Sequence, residues 1–233
     1  MPERRRAPRT TVVVMAKAPI PGFAKTRLIP RLGPEGAAEL HALLLERTLR
    51  TVATSGFDRI ALWCAPDRQA APFEALGRAF GRVELRDQPE GDLGARMLAA
   101  FEHHLAAGGP VVMVGTDCPE LAPAHLAGAR AALADADAVL LPAEDGGYAA
   151  IGLRRVARAL FEDVRWGTAE VLATTRERLR RLGWASRELA PLRDVDVPED
   201  LEWLLRGGLL GEAERSRLSR YVTSCRSNAG GDA

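Results

Sequence analysis

Val12–Gly33 reads VVVMAKAPIPGFAKTRLIPRLG, and the reading of the fold starts from how this stretch changes character. It opens as a continuous apolar run, the pattern of a strand covered on both faces. The run passes without a break into a loop stiffened by Pro19 and Pro21 and charged by Lys17, Lys25 and Arg27. Proline fixes φ, and Gly22 lets backbone come close to a ligand. Such a loop suits phosphate, because a rigid segment loses little entropy when it orders around an anion. A solvated basic loop has the same composition. It is not a Walker A loop, since Gly22 lies three positions before Lys25 rather than beside it.

Outward from this strand, Arg59–Ala65, Arg82–Arg86, Pro110–Gly115, Asp137–Leu141, Tyr148–Leu153 and Trp184–Leu189 read as further strands. Helical stretches over Gly33–Ser55, Asp67–Phe80, Asp92–Ala107, Pro123–Leu133, Thr168–Leu182 and Pro198–Arg206 lie between and after them. This alternation predicts an α/β three-layer sandwich with a mostly parallel sheet. It is read as one domain over residues 10–215, with 1–9 and 216–233 as flexible tails. Ligands of such sheets bind beyond the carboxyl ends of the strands. The loops after Ala16, Arg86, Gly115 and Leu141 are therefore the places to look.

Bulk properties narrow the classes. The 233 residues can bury a substantial core, and a net charge of +1 offers no global field for nucleic acid or a membrane surface. Any anion site must be local. No segment reaches the roughly 20 apolar residues of a membrane span, and the basic start MPERRRAPRT is followed by too short an apolar run for a signal peptide. Cys64, Cys118 and Cys225 form no metal pattern, and an odd count argues against a disulfide framework, so a reducing cytoplasm is expected.

The unusual residues gather in the expected loops. In DQPEGDLGARM, Asp92 is a helix N-cap, while Gln88 and the amides near Gly91 can face a base edge. In GTDCPEL, Asp117 stands just past a strand, where a hard cation is held between protein and phosphate oxygens; a turn aspartate is the plainer reading. PAEDGGYAAIGL brings Glu144 and Asp145 before Gly146, Gly147 and Tyr148, a hairpin that also aims carboxylates at a cleft rim. RWGTAE offers Thr168 as a cap and Trp166 as a packing anchor or pocket wall. In RDVDVPEDL, Asp194 and Asp196 face the same side of an extended segment, two like charges that call for a cation or a proton. Capping of the next helix does not need both. His41, His103, His104 and His125 show no partner pattern and are read as ordinary surface or core residues.

Taken in order, MAKAPIPGFAKTRL, GTDCPEL, PAEDGGYAAIGL and DVDVPEDL resemble a family of glycosyltransferases of unassigned substrate, the radical-SAM/selenodomain-associated transferase 1 group. Some members of that group are described as arsenosugar-biosynthesis glycosyltransferases. The resemblance spans Thr11 to Leu205 and implies the nucleotide-diphospho-sugar transferase (GT-A) fold, which also serves guanylyltransferases. It implies Gly22, Lys25 and Arg27 around nucleotide phosphates and Gln88 and Gly91 near the base, and Ala16, Lys17, Asp92, Gly147, Tyr148, Trp166 and Thr168 are read with them as substrate- or nucleotide-binding residues. Asp117 with Asp194 or Asp196 would hold Mg²⁺ or Mn²⁺. Asp145 or Glu144 would take the acceptor's proton, and Lys25 would assist the leaving group. Two features depart from the superfamily: the first loop lacks GGxSxRMG, and TDCP replaces a DxD motif. The expected reaction is transfer of a sugar from a nucleoside diphosphate sugar to a small acceptor. Nucleotidyl transfer from an NTP with release of pyrophosphate is the alternative, and a nucleotide-binding module without turnover a third reading.

Overall fold

Seven strands form one sheet in the computed structural model, which describes residues 9–227. They are β1 (Thr11–Lys17), β2 (Arg59–Ala65), β3 (Val83–Asp87), β4 (Val111–Val114), β5 (Ala138–Pro142), β6 (Tyr148–Leu153) and β7 (Ser186–Glu188). Their order across the sheet is β3-β2-β1-β4-β6-β5-β7. All pairings are parallel except those of β6, which runs antiparallel to both β4 and β5. The chain builds leftward from β1 through β2 and β3, then returns to place β4 on the other side of β1. That reversal leaves a crevice between the ends of β1 and β4.

The strands sort their side chains by the two-residue period. Val12, Val14 and Ala16 pack under α1 (Ile29–Thr54), α2 (Ala71–Phe80) and α4 (Pro123–Ala132). Val13 and Met15 face α3 (Leu93–Ala106) and α5 (Val171–Arg181) on the opposite side. The three-layer α/β arrangement is thus as expected. A further layer covers α1: Leu40, Leu43 and Leu44 on its outer face meet α6 (Pro198–Arg206) and α7 (Glu212–Ser227).

Several element boundaries differ from the sequence reading. The α2 helix begins at Ala71 rather than Asp67, and β7 is trimmed to Ser186–Glu188. The first helix starts at Ile29 and is broken at Gly33, whose φ of 71° lies in the left-handed region, before running on from Pro34. The α5 helix begins at Val171 rather than Thr168, because Thr168 donates its hydroxyl to the Arg165 carbonyl at 2.8 Å and closes a turn instead of capping. The tail expected from Ser216 is helical as far as Ser227. Its apolar stripe is only Leu218, Tyr221 and Val222, too brief to announce a helix, but Leu218 is fully buried. Arg217 completes the docking with ion pairs to Glu39 at 2.6 Å and Glu46 at 3.1 Å on α1. The tails expected at 1–8 and 228–233 lie outside the described residues.

Candidate active site

A cleft of about 640 Å³ opens at the ends of β1 and β4. That is the size of a small-molecule pocket. Its floor is apolar, with Met15, Met97, Met113 and Ile151, and its rim carries the charges.

The cationic side comes from the first loop. A turn closed by Phe23 N–H donating to Ile20 O at 3.0 Å puts Pro21 and Gly22 at its centre, and Gly22 has the φ of 80° that a type II turn demands. The chain then reaches Lys25 in a left-handed conformation (φ 52°, ψ 38°). This costs a non-glycine residue on the order of 1 kcal/mol or more. The strain carries the ammonium inward, where the Lys25 side chain is only 2% exposed and ion-paired to Asp117 Oδ1. Val195 O lies 2.5 Å from Nζ and Asp196 Oδ1 3.5 Å. Burial alone would lower the Lys25 pKa, but Asp117 and Asp196 outweigh it and hold it above the usual lysine value. Lys17 lines the cleft as an exposed residue at the end of β1, its Nζ 5.9 Å from the Phe23 ring. Gly22 and Arg27 do not line it. Gly22 serves the turn, and Arg27, 63% exposed, pairs with Asp196 Oδ2 at 2.9 Å.

The acidic side comes from β4 and the segment before α6. Asp117 follows β4, and burial works against its ionisation, yet Lys25, His41 and Lys17 keep its pKa below the usual carboxylate value. Its backbone carbonyl accepts from Val195 N–H at 2.9 Å, which lashes the two acidic segments together. Val195 points into the outer core while Asp194 and Asp196 line the cleft, the alternation expected of an extended segment. Neither is used to cap α6. Asp200 does that, accepting from the N–H groups of Asp196 and Val197 at 3.1 Å. Asp194 is buried, and burial followed by repulsion from Asp145 pushes its pKa up to about 6.

This donor set fits a hard divalent ion. The side-chain donors there are carboxylate oxygens, and their crowding leaves Asp194 short of positive charge. Among the described residues no three acidic, His or Cys side chains are grouped closely enough to hold an ion alone. Magnesium-type sites are completed by substrate phosphates and water.

Toward the expected base pocket, Gln88 spends both amide hydrogens on backbone, donating to Ala16 O at 3.0 Å and Trp63 O at 2.8 Å. It braces the ends of β1 and β2 and has no donor left for a base. Asp92 is likewise engaged as the N-cap of α3, accepting from Ala95 N–H at 2.8 Å. Gly91 and Ala16 line the cleft with their backbone, joined by Arg96, which donates to Gly91 O at 3.0 Å.

The other half of the cleft is built by the β5–β6 hairpin and the Trp166–Thr168 segment. Asp145 Oδ1 accepts from Gly147 N–H at 2.7 Å, which orients the carboxylate over the cleft. Glu144 is exposed and does not line it. Tyr148, Trp166 and Thr168 do, and the Trp166 N–H is buried with no hydrogen-bond partner among the described residues. The hairpin tip is clasped. Gly146 O accepts from Leu172 N–H at 2.9 Å, and a Cβ on Gly146 would fall 2.6 Å from Ala169 Cα.

Arg96 and His41 are among the cleft residues that sequence reasoning missed. Arg96 carries no signal beyond helical spacing. His41, read as an ordinary helix residue, is buried beside the cleft with Nε2 2.9 Å from Lys17 O. Burial lowers its pKa below the ordinary histidine value.

Comparison with known proteins bears on the fold and the family. The family model DUF2064, an uncharacterized protein conserved in bacteria, matches residues 48–168. No curated protein matches the chain. The crystal structure of a putative nucleotide-diphospho-sugar transferase from Desulfovibrio desulfuricans G20 is similar at a TM-score of 0.82 and 28% identity, over 94% of this chain and 97% of that one. A cytidylyltransferase from Leptospira borgpetersenii serovar Hardjo-bovis gives 0.58 and 15% over 97% and 98%. Rv0371c from Mycobacterium tuberculosis H37Rv, crystallised with manganese, gives 0.50 and 16% over 85% and 98%. The last two likenesses are of fold. The fold is that of the nucleotide-diphospho-sugar transferases, and among the described residues no helix is long and apolar enough to cross a membrane.

Proposed function

Starting from a chain that belongs to the bacterial DUF2064 family, we propose that it transfers a sugar from a nucleoside diphosphate sugar to a small acceptor. The observation that carries this is the meeting of Lys25 with Asp117 and Asp196 at one rim of the cleft. The narrower kinship with the radical-SAM/selenodomain-associated transferases, including the arsenosugar type, belongs to the same proposal.

In this reading Lys17 and Lys25 bind the diphosphate, and the Ala16 and Gly91 backbone borders the base. Asp117, Asp194 and Asp196 hold Mg²⁺ or Mn²⁺. Such an ion, when bound, neutralises charge on the departing nucleoside diphosphate. Asp145 is oriented to accept the acceptor's proton, with Tyr148, Trp166 and Thr168 forming the acceptor's wall. Glu144, which does not line the cleft, is left out of this role.

Nucleotidyl transfer uses the same groups, and the likeness to a cytidylyltransferase supports it as the second reading. The products separate the two. The protein is incubated with nucleotide sugars and with NTPs in the presence of Mn²⁺; release of nucleoside diphosphate supports the first and pyrophosphate the second. Full activity and metal affinity in Asp117→Asn would contradict both assignments of that residue.

A further inference from the structure

Lys25 Nζ sits among three oxygens, from Asp117, Val195 and Asp196, as a small cation would. Two of those oxygens belong to the carboxylates assigned to the metal. The ammonium comes from beneath, with its side chain 2% exposed, while the Asp117 side chain is 47% exposed. An ion entering from the cleft therefore reaches the same carboxylate from the other side and meets a fixed positive charge. Like charges on one carboxylate repel at close range. The left-handed backbone at Lys25 holds the ammonium there against local strain.

We infer that Lys25 and the divalent ion are rivals for Asp117, so that metal binds weakly alone and loads together with a diphosphate. The diphosphate supplies the anionic oxygens that draw Lys25 off Asp117. It also supplies the ligands that the protein's carboxylates lack. Metal and diphosphate then each raise the other's affinity, as reciprocal linkage requires. This coupling keeps the ligand-free protein from filling its cleft with a bare ion. The inference rests on the transferase reading for the diphosphate, whereas the rivalry itself needs only the protein and the metal.

The test is Mn²⁺ binding followed by the electron paramagnetic resonance signal of the free ion, without and with CDP, UDP and GDP as probes. Wild-type protein is expected to bind Mn²⁺ at least tenfold more tightly with a diphosphate than without. Lys25→Met is expected to bind Mn²⁺ alone at least tenfold more tightly than wild type, with the coupling reduced to the part that the diphosphate's own oxygens supply. Lys25→Asn is the second variant, since asparagine tolerates the left-handed backbone, and circular dichroism checks that each variant folds. Unchanged or weaker Mn²⁺ binding in a folded Lys25 variant overturns the inference, as does equally tight binding by wild type with and without a diphosphate it demonstrably binds. If no diphosphate binds under any condition, the transferase reading falls, while the metal-alone comparison still decides the rivalry.

Discussion

Asp194 is buried among carboxylates, so its ionisation runs uphill in the ligand-free fold. Unfolded, it ionises at the ordinary 3.8, and folded only at about 6. The folded state thus holds the extra proton between these values, and above pH 6 the charged carboxylate costs up to about 3 kcal/mol. Asp194→Asn is expected to melt higher than wild type at pH 7.5, with the advantage shrinking to nothing below pH 3.8, as followed by thermal denaturation. The same variant should lose Mn²⁺-dependent stabilisation by diphosphates. His104 slopes the other way. Burial, with His103 alongside, lowers its pKa to about 4 from 6.5, and it accepts the Trp63 indole N–H at 3.0 Å. Here the unfolded chain takes the proton first, so stability is lost as pH falls from 6.5 toward 4. His104→Gln, which keeps an acceptor for Trp63 without titrating, should flatten that part of the melting profile. Neither titration was legible in the sequence. Asp194 stands out only by its spacing from Asp196 and its place in the quoted motif, and His104 not at all, because burial in the folded molecule is the leading cause of both effects.

At the scale of elements, the central strands and six helices were legible because their apolar runs are regular and their ends are punctuated by proline, glycine and Asp92. The α7 helix was not, since a stripe of one Leu, one Tyr and one Val becomes meaningful only against the exposed side of α1. Leu218→Ala should therefore cost about 2–5 kcal/mol in urea unfolding, the range for emptying a buried leucine site. Gly36 gives a second handle, because a Cβ there would lie 2.7 Å from Tyr221 Cβ. Gly36→Val should lift α7 off α1 and raise amide exchange along α7 while leaving the sheet protected. For α3, removing the Asp92 cap by Asp92→Ala should cost about 1 kcal/mol. It should change nucleotide affinity little, as that carboxylate already serves Ala95.

The whole molecule is layered, and α1 belongs to two layers at once. Leu45, Leu49 and Val52 join the core over the sheet, and Leu40, Leu43 and Leu44 the core under α6 and α7. A shared helix couples the cores, so they should unfold together. Trp63 reports on the sheet and Trp203 on the outer layer. Variants keeping only one of these tryptophans should show coincident urea midpoints; an earlier Trp203 transition would mean that the outer layer peels away first. The position of the cleft was foreseeable at this scale, because strand order reversal and loop chemistry both point to the ends of β1 and β4. The division of labour inside it was not. Which groups are spent on bracing, as Gln88 is, and which remain available depends on carbonyls that only the folded sheet brings near.

The clasp at Gly146 bears on how this cleft can be re-tooled. Its carbonyl is tied to Leu172 and its Cα leaves no room before Ala169, so the hairpin and the Trp166–Thr168 segment form one wall. Lengthening either loop would pry that wall apart. A protein engineer reshaping the cleft should keep both loop lengths and Gly146, and draw libraries instead from Ala143, Tyr148, Trp166 and Val171, whose side chains line that wall.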